Sequence, residues 1–536
     1  MKKRLFVSMA VAIPVAFTSL LLAQGGRAAQ VALAHFNANA RAYGLTNPST
    51  ELRERSEHAG ARGETHVRFD QVYRGLPVFE GEAIAHVDAD DNVTVTNAIA
   101  GNLNVNPAPR VGRNDAINTA VRFISPVGDY TVRDASLWIL PRGERSIVNR
   151  LVWRVNVAVE NEFEEPAEWQ YFVDAGSGAV AFSYNGLETQ GRHGGGGGGG
   201  GTPTKATAIG NTMYSGSPTL DVSLLSGTYS LVDLLRGNSG GNSTCDMGNK
   251  QITTCTIFSA SSAVFGDSSK DNTSRATAAA DAHYGLEKTW DFYKTSFNRT
   301  GIDGSGKKTV SRVHYGRNYG NAFWSDSCFC MTYGDGDSTV YPLVSLDVAG
   351  HEMSHGVMST EANLTYSGES GGLNESNSDI FGTMVEFFAN NTKDPGDYLI
   401  GEAIFKSNYD ANGNLKSSGL NAIRFMADPN ADGISPACWS STIGNLNVHY
   451  SSGPNNHMFY LLAEGGQSKC NNHVVSGIGR TDAAAIWYNA IRDNMTASTD
   501  YHGARTAALS AAASLFGSGS TQYNAVMAAF SAIGVD

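Results

Sequence analysis

Hydrophobic and polar positions along the chain divide it into three regimes. From about residue 30 to 190 apolar and polar residues alternate in short runs. Val67-Arg68-Phe69-Asp70-Gln71-Val72-Tyr73 has strand periodicity and is broken at Leu76-Pro77-Val78. Val93-Thr94-Val95 follows a turn at Asp90-Asp91-Asn92. Residues 151–157 and 169–174 predict paired strands, and Ala175-Gly176-Ser177-Gly178 predicts the turn before the next strand at Ala179. Residues 206–350 again predict strands, with one helix over about 274–296. There Ala282, Leu286, Trp290 and Tyr293 recur at helical spacing. From Asp347 onward helices separated by glycine-rich loops are expected, with 484–492 and 504–515 the plainest. A strand-rich lobe followed by a helical lobe implies an α+β architecture with a cleft between the lobes.

Two segments stand outside this pattern. Met1-Lys2-Lys3-Arg4 is basic, and residues 5–23 are apolar and interrupted by Pro14. Small residues follow, which predicts a secretory leader cleaved after Ala23 or Ala29. A membrane anchor is the rival, because such a run is just long enough to span. Pro14 and the alanine-rich exit favour cleavage. The second segment, Gly194 to Gly201, has no means of packing and reads as a flexible joint open to proteolysis. The expected organisation is therefore a leader over 1–29, a first unit over 30–193 and a joint over 194–205. A strand-rich lobe over 206–350 and a helical lobe over 351–536 complete it.

Composition narrows the chemistry. A formal charge of −12 repels phosphate backbones, so nucleic acid is not an expected partner. In an oxidising destination the six cysteines become disulfides, and fifteen pairings are open. Sequence proximity favours 245–255 and 438–470, whereas 328–330 would close a very tight ring.

The chemistry concentrates after residue 346. In a helix, His351 and His355 project from one face of His351-Glu352-Met353-Ser354-His355. Two imidazoles so placed can share one zinc ion, with Glu352 beside the open coordination position as the base that activates water. Downstream, Glu375 and Asp379 in Leu373-Asn374-Glu375-Ser376-Asn377-Ser378-Asp379 also share a helical face. One can be the third ligand, while Asp379, with Asn374 nearby, supports the ligand histidines. Neighbouring zinc-peptidase patterns fail on spacing. The metzincin form needs glycine and histidine where Met358 and Glu361 stand, and an aminopeptidase spacing needs glutamate at Asn374. A zinc-holding protein without catalysis is opposed by the intact Glu352. A serine hydrolase is opposed by the lack of a GxSxG elbow near a suitable histidine.

Gly350 to His355 together with Gly372 to Asp379 resembles the thermolysin family of zinc metalloendopeptidases, nearest its vibriolysin and pseudolysin branch. The similarity extends from Arg68-Phe69-Asp70-Gln71-Val72-Tyr73-Arg74-Gly75-Leu76-Pro77-Val78-Phe79 through the whole catalytic region. The resemblance implies a secreted, monomeric endopeptidase with no membrane contact after processing. It also implies that residues 30 to about 200 are a propeptide that aids folding and inhibits the enzyme. Protein and peptide substrates would have a large hydrophobic residue after the cut. By the same resemblance, Asn321 and Ala322 belong to an edge strand that pairs with substrate backbone. Tyr366 and His449 hold the oxyanion, and Arg424 grips a substrate carbonyl. Val340, Leu343, Val348 and Ile423 form the pocket after the scissile bond. A structural calcium ion is implied at Asp347, Glu386, Asp397, Glu402 and the Leu399 carbonyl, beside the catalytic zinc. One departure stands out. The family places a carboxylate shortly before the histidine, but Asn447 stands here and supplies no charge to hold an imidazolium.

Overall fold

The computed structural model describes residues 26–142, 148–161, 164–187, 202–238, 240–251, 254–271, 273–411 and 413–536. The expected leader up to residue 25 and the glycine run 194–201 lie outside the described residues. Among those described, no helix is long and apolar enough to cross a membrane.

The N-terminal unit is built on an eight-stranded sheet. Strands Leu52–Ala59, Thr65–Tyr73, Leu76–Val87 and Val93–Ala98 pair antiparallel as one half. Strands Tyr130–Pro141, Asn149–Asn161, Glu164–Asp174 and Val180–Asn185 form the other, joined to the first by a parallel contact at Val78 and Ile139. Alternation decides which face is buried: Val67 and Phe69 pack with Phe36 of helix Arg27–Ala38 in one small core. That helix bears on the expected boundary. Ala28 and Ala29 are buried in the same core, so a leader ending at 29 would cut a packed helix, whereas cleavage after Ala23 leaves it whole.

The strand-rich lobe opens with Thr204–Gly210, two residues before the expected start, and contains a five-stranded and a six-stranded sheet. Helix Arg275–Phe297 lies one residue from its predicted span. The expected division at 350 falls inside helix Leu346–Thr360, the first site helix, which packs between the lobes. It crosses the second site helix, Gly368–Ala389, almost backbone to backbone. A Cβ on Gly382 would lie 2.5 Å from the Asp347 carbonyl oxygen, and one on Gly350 only 3.0 Å from the Gly382 Cα. Neither glycine can be replaced without parting the two helices that carry the ligand residues. The disulfides are Cys245–Cys255, Cys328–Cys330 and Cys438–Cys470.

The N-terminal unit grips the helical lobe through a buried polar contact. Arg68 donates to the Met495 carbonyl at 2.8 Å and to the Arg492 carbonyl at 3.0 Å, near the end of helix Arg480–Asp493. Glu82, paired with Arg68 at 3.2 Å, accepts the Ala497 N–H. Two charge-assisted bonds of this kind contribute about 3 kcal/mol together. Arg68→Ala should therefore raise hydrogen exchange at residues 495–498 roughly a hundredfold, measured by mass spectrometry on the uncleaved chain. Unchanged exchange there would show that the grip lies elsewhere.

Candidate active site

The two site helices bring their polar faces together. His351 directs Nδ1 to Asp379 Oδ1 at 2.9 Å, and His355 directs Nδ1 to Asn374 Oδ1 at 2.8 Å. The Asn374 amide nitrogen donates to the Leu364 carbonyl at 3.0 Å, which fixes its oxygen toward the ring. Each acceptor holds the proton on Nδ1, so each Nε2 turns its lone pair toward the other and toward Glu375. Those two nitrogens lie 3.1 Å apart. Glu375 closes the set, with Oε1 3.3 Å from His355 Nε2 and Oε2 3.6 Å from His351 Nε2. Its buried Oε2 has no hydrogen-bond partner. Ligands about 2.0–2.1 Å from a tetrahedral zinc are about 3.4 Å from one another. The donor set therefore fits zinc in both chemistry and spacing. Glu352, buried beside the two histidines, completes the group, and burial raises its carboxyl above the ordinary range.

Asp379 is the hub of the support. Arg424 donates to it through Nε and Nη2, both at 2.6 Å, and the Asn456 amide adds a bond at 2.7 Å. Burial alone would raise its carboxyl, but Arg424 and His351 hold it at about 2. The nitrogens of Arg424 expected to reach a substrate carbonyl are thus partly committed to Asp379, and Nη2 also lies 3.6 Å from Glu375.

Tyr366 donates to Glu375, and its hydroxyl lies 3.4 Å from His449 Nε2. Asn447 caps a short helix by accepting the His449 N–H at 3.0 Å, and the same oxygen faces His449 Nδ1 at 2.8 Å. Since that oxygen is fixed as an acceptor, Nδ1 carries the proton of the neutral ring. Only the imidazolium can then donate from Nε2. Partial desolvation in the cleft lowers the pKa of this half-exposed ring and opposes that form, while Glu375 favours it.

A cleft of about 860 Å³ runs over these groups. Asn321 and Ala322 line it at the edge of the six-stranded sheet, and Leu343, Val348 and Ile423 line it on the apolar side. Val340 does not. It is buried and forms a backbone bridge with Phe405. Tyr184, Asn185 and Leu187 of the N-terminal unit border the same cleft.

A second constellation lies at the far end of the site helices. Asp347, Glu386 and Glu402 are buried, and Asp397 joins them; Asp397 accepts the Leu399 N–H at 2.7 Å. Asp394, which sequence reasoning missed, is buried in the same group. Its signal was present in an acidic Asp394-Pro395-Gly396-Asp397 loop after a helix ending in Glu386-Phe387-Phe388-Ala389. Burial and mutual repulsion push Glu386 and Glu402 well up, Asp394 to about 8, and Asp397 to about 6 through burial and Asp347. Glu386 Oε1, Asp394 Oδ2 and Glu402 Oε2 are buried without hydrogen-bond partners. Such oxygens fit a hard divalent cation.

A strand-rich lobe, a helical lobe and an HExxH site supported by a second ligand helix define a zinc endopeptidase of the two-lobed kind. The chain belongs to the thermolysin family. Residues 207–359 match the thermolysin metallopeptidase catalytic domain, residues 362–535 its alpha-helical domain, and residues 50–97 the fungalysin/thermolysin propeptide motif. A transglutaminase-activating metalloprotease of Streptomyces mobaraensis is 39% identical over 88% of this chain, which spans 59% of that protein. A bacillolysin of Brevibacillus brevis is 35% identical, covering 88% of this chain and 82% of its own. A thermolysin of Alicyclobacillus acidocaldarius subsp. acidocaldarius is 34% identical over 88% and 84%.

The carboxylate cluster makes a pH-dependent prediction. Without a cation, carboxyls with raised pKa hold protons in the folded state that the unfolded chain has released. Their stability contribution is present in acid and is lost as pH rises through about 6 and about 8. A bound cation removes that loss. Calcium at a hundredfold excess over Kd adds ~2.7 kcal/mol, or about 5 °C in Tm for a domain of this size. The gain on adding calcium to stripped protein should be larger at pH about 8 than at pH about 5. Equal gains by calorimetry at both would remove the cation from this cluster.

Proposed function

We propose that this chain is a secreted zinc endopeptidase made as a zymogen, with zinc held by His351, His355 and Glu375. The observation that carries this reading is the convergence of two Nε2 atoms and an unpartnered carboxylate oxygen beside Glu352. Zinc, when bound, polarises the scissile carbonyl and makes water a better nucleophile. Glu352 accepts a proton from the attacking water and delivers it to the leaving nitrogen. Tyr366 and protonated His449 donate to the oxyanion as charge develops there. Asn321 and Ala322 hold the substrate backbone by adding it as a strand to the sheet edge. Leu343, Val348 and Ile423 select a large hydrophobic residue after the cut. The propeptide inhibits through Tyr184, Asn185 and Leu187, which stand where a substrate would run. Calcium is the cation of the carboxylate cluster, held by Asp347, Glu386, Asp394, Asp397 and Glu402, with the Leu399 carbonyl. The apolar leader and the cystine-paired chain support export.

Casein hydrolysis by the matured protein tests this directly. Phenanthroline should abolish it, and Glu352→Gln should lower kcat about 10²–10⁴-fold with zinc still bound. Activity that survives both would end the metalloprotease reading.

Asn447 makes a second test. The imidazolium of His449 is the donor form, and nothing at position 447 stabilises its charge. Asn447→Asp places a carboxylate against Nδ1 and should raise the pKa of His449. The basic limb of kcat/KM then moves to higher pH, by about one unit or more. A coincident pH profile for the two enzymes would remove His449 charge from the mechanism.

A further inference from the structure

The six-stranded sheet ends in a hairpin whose outer strand, Ala322–Ser325, borders the cleft and whose inner strand is Cys330–Gly334. Residues 326–329 connect them, and a disulfide joins Cys328 to Cys330. The closed ring spans one intervening residue, Phe329, whose φ is +55°. A bulky aromatic in the left-handed region is a true outlier, because its Cβ crowds the neighbouring carbonyl. Left open, this connection would relax by turning Phe329 into an ordinary conformation and moving its ring. The disulfide denies that relaxation by tying the residues on either side.

The held ring is in use. Phe329 is buried and meets Trp324 edge to face, with centroids 5.0 Å apart and planes at 78°. Lys307 covers Phe329, its Nζ 4.0 Å from the centroid. Trp324, fully buried, sits in the middle of the outer strand and packs on the first site helix at Gly356. A Cβ there would lie 2.4 Å from the indole. Asp326, in the same connection, ties the two elements again. It accepts Trp324 Nε1 at 2.8 Å and Ser359 Oγ of the helix at 2.7 Å. The strand that lines the cleft and the helix that bears His351, Glu352 and His355 are thus referenced to each other through Trp324.

The geometry points to the ring Cys328–Phe329–Cys330 as a positioning device: it locks Phe329 over Trp324, fixes strand Ala322–Ser325 relative to the first site helix, and so governs how tightly extended peptides are held. This rests on the proposed pairing of substrate with that strand. Opening the ring loosens a binding element without touching the zinc ligands or Glu352. Its signature is therefore a change in KM with kcat retained, because the interaction lost is common to ground state and transition state.

The experiment uses the full precursor, matured to active enzyme, with active sites counted by titration with a tight-binding inhibitor. Three variants are compared on one extended peptide substrate: Cys328→Ser with Cys330→Ser, Phe329→Leu, and Asn321→Ala. In the first two, KM should rise about tenfold with kcat per active site within about twofold. Hydrogen exchange at 322–325 should rise in both. A purely structural ring would lower Tm or the fraction of active enzyme and leave KM alone, and that result overturns the proposal. If the double cysteine variant yields no enzyme, Phe329→Leu, which keeps the disulfide, decides by the same criterion. Asn321→Ala separates the two levels. A raised KM there with unchanged KM in the ring variants sinks the ring alone, whereas unchanged KM in all three sinks the strand pairing itself.

Discussion

Two imidazole Nε2 atoms 3.1 Å apart face a buried carboxylate, a gathering of donors that a cation between them would satisfy. A proton can bridge one of the pairs, but only a divalent ion answers all three donors at once. Much of the helical lobe serves to keep those lone pairs aimed. Asp379 and Asn374 hold the protons on the far side of each ring, Arg424 and Asn456 hold Asp379, and the Leu364 carbonyl holds Asn374. Burying these groups costs several kcal/mol per ion unless each is paired, and each ionic support is paired. The glycine crossing of the two helices is the backbone counterpart, since it lets ligands from separate helices converge.

The carboxylate cluster is mechanically continuous with this centre. Asp347 lies one helical turn before His351, and one of its oxygens accepts the Gly401 N–H. Gly401 follows Leu399–Ile400, which pairs with Arg424–Phe425 in the register Ile400 to Arg424. The segment that supplies carboxylates to the cluster therefore also sets the backbone from which Arg424 reaches Asp379. Contacts therefore run without a break from the cluster through Gly401 and Arg424 to Asp379 and His351. Distance between the two constellations does not make them independent.

How much of this could be seen in the sequence depended on whether the signal was local. The pairs His351/His355 and Glu375/Asp379 are four residues apart and need only a helix to share a face, so spacing alone assembled them. Helix 275–297 announced itself by its apolar period. Three features were hidden because they depend on tertiary context. Val340 is apolar like its pocket neighbours, and only the folded cleft shows that it is not among the lining residues. Asp394 looks like an ordinary acidic loop residue until the fold buries it beside Glu402. Ala28 and Ala29 are small enough to suit a cleavage site and equally suited to a packed helix, and nothing local decides between those uses.

The N-terminal unit shows the same logic across an interface. The carbonyls of Arg492 and Met495 at a helix end need donors, and Arg68 supplies them from the propeptide. Glu82 in turn takes the N–H of Ala497, whose carbonyl accepts the N–H of Thr365 at 2.8 Å. Thr365 immediately precedes Tyr366. The N-terminal unit thus orders the loop on which the backbone before Tyr366 rests, while its last strand borders the cleft beneath. Both contacts come from the same N-terminal unit, one from each half of its sheet, so ordering the site and covering it are tied together through the junction at Val78 and Ile139.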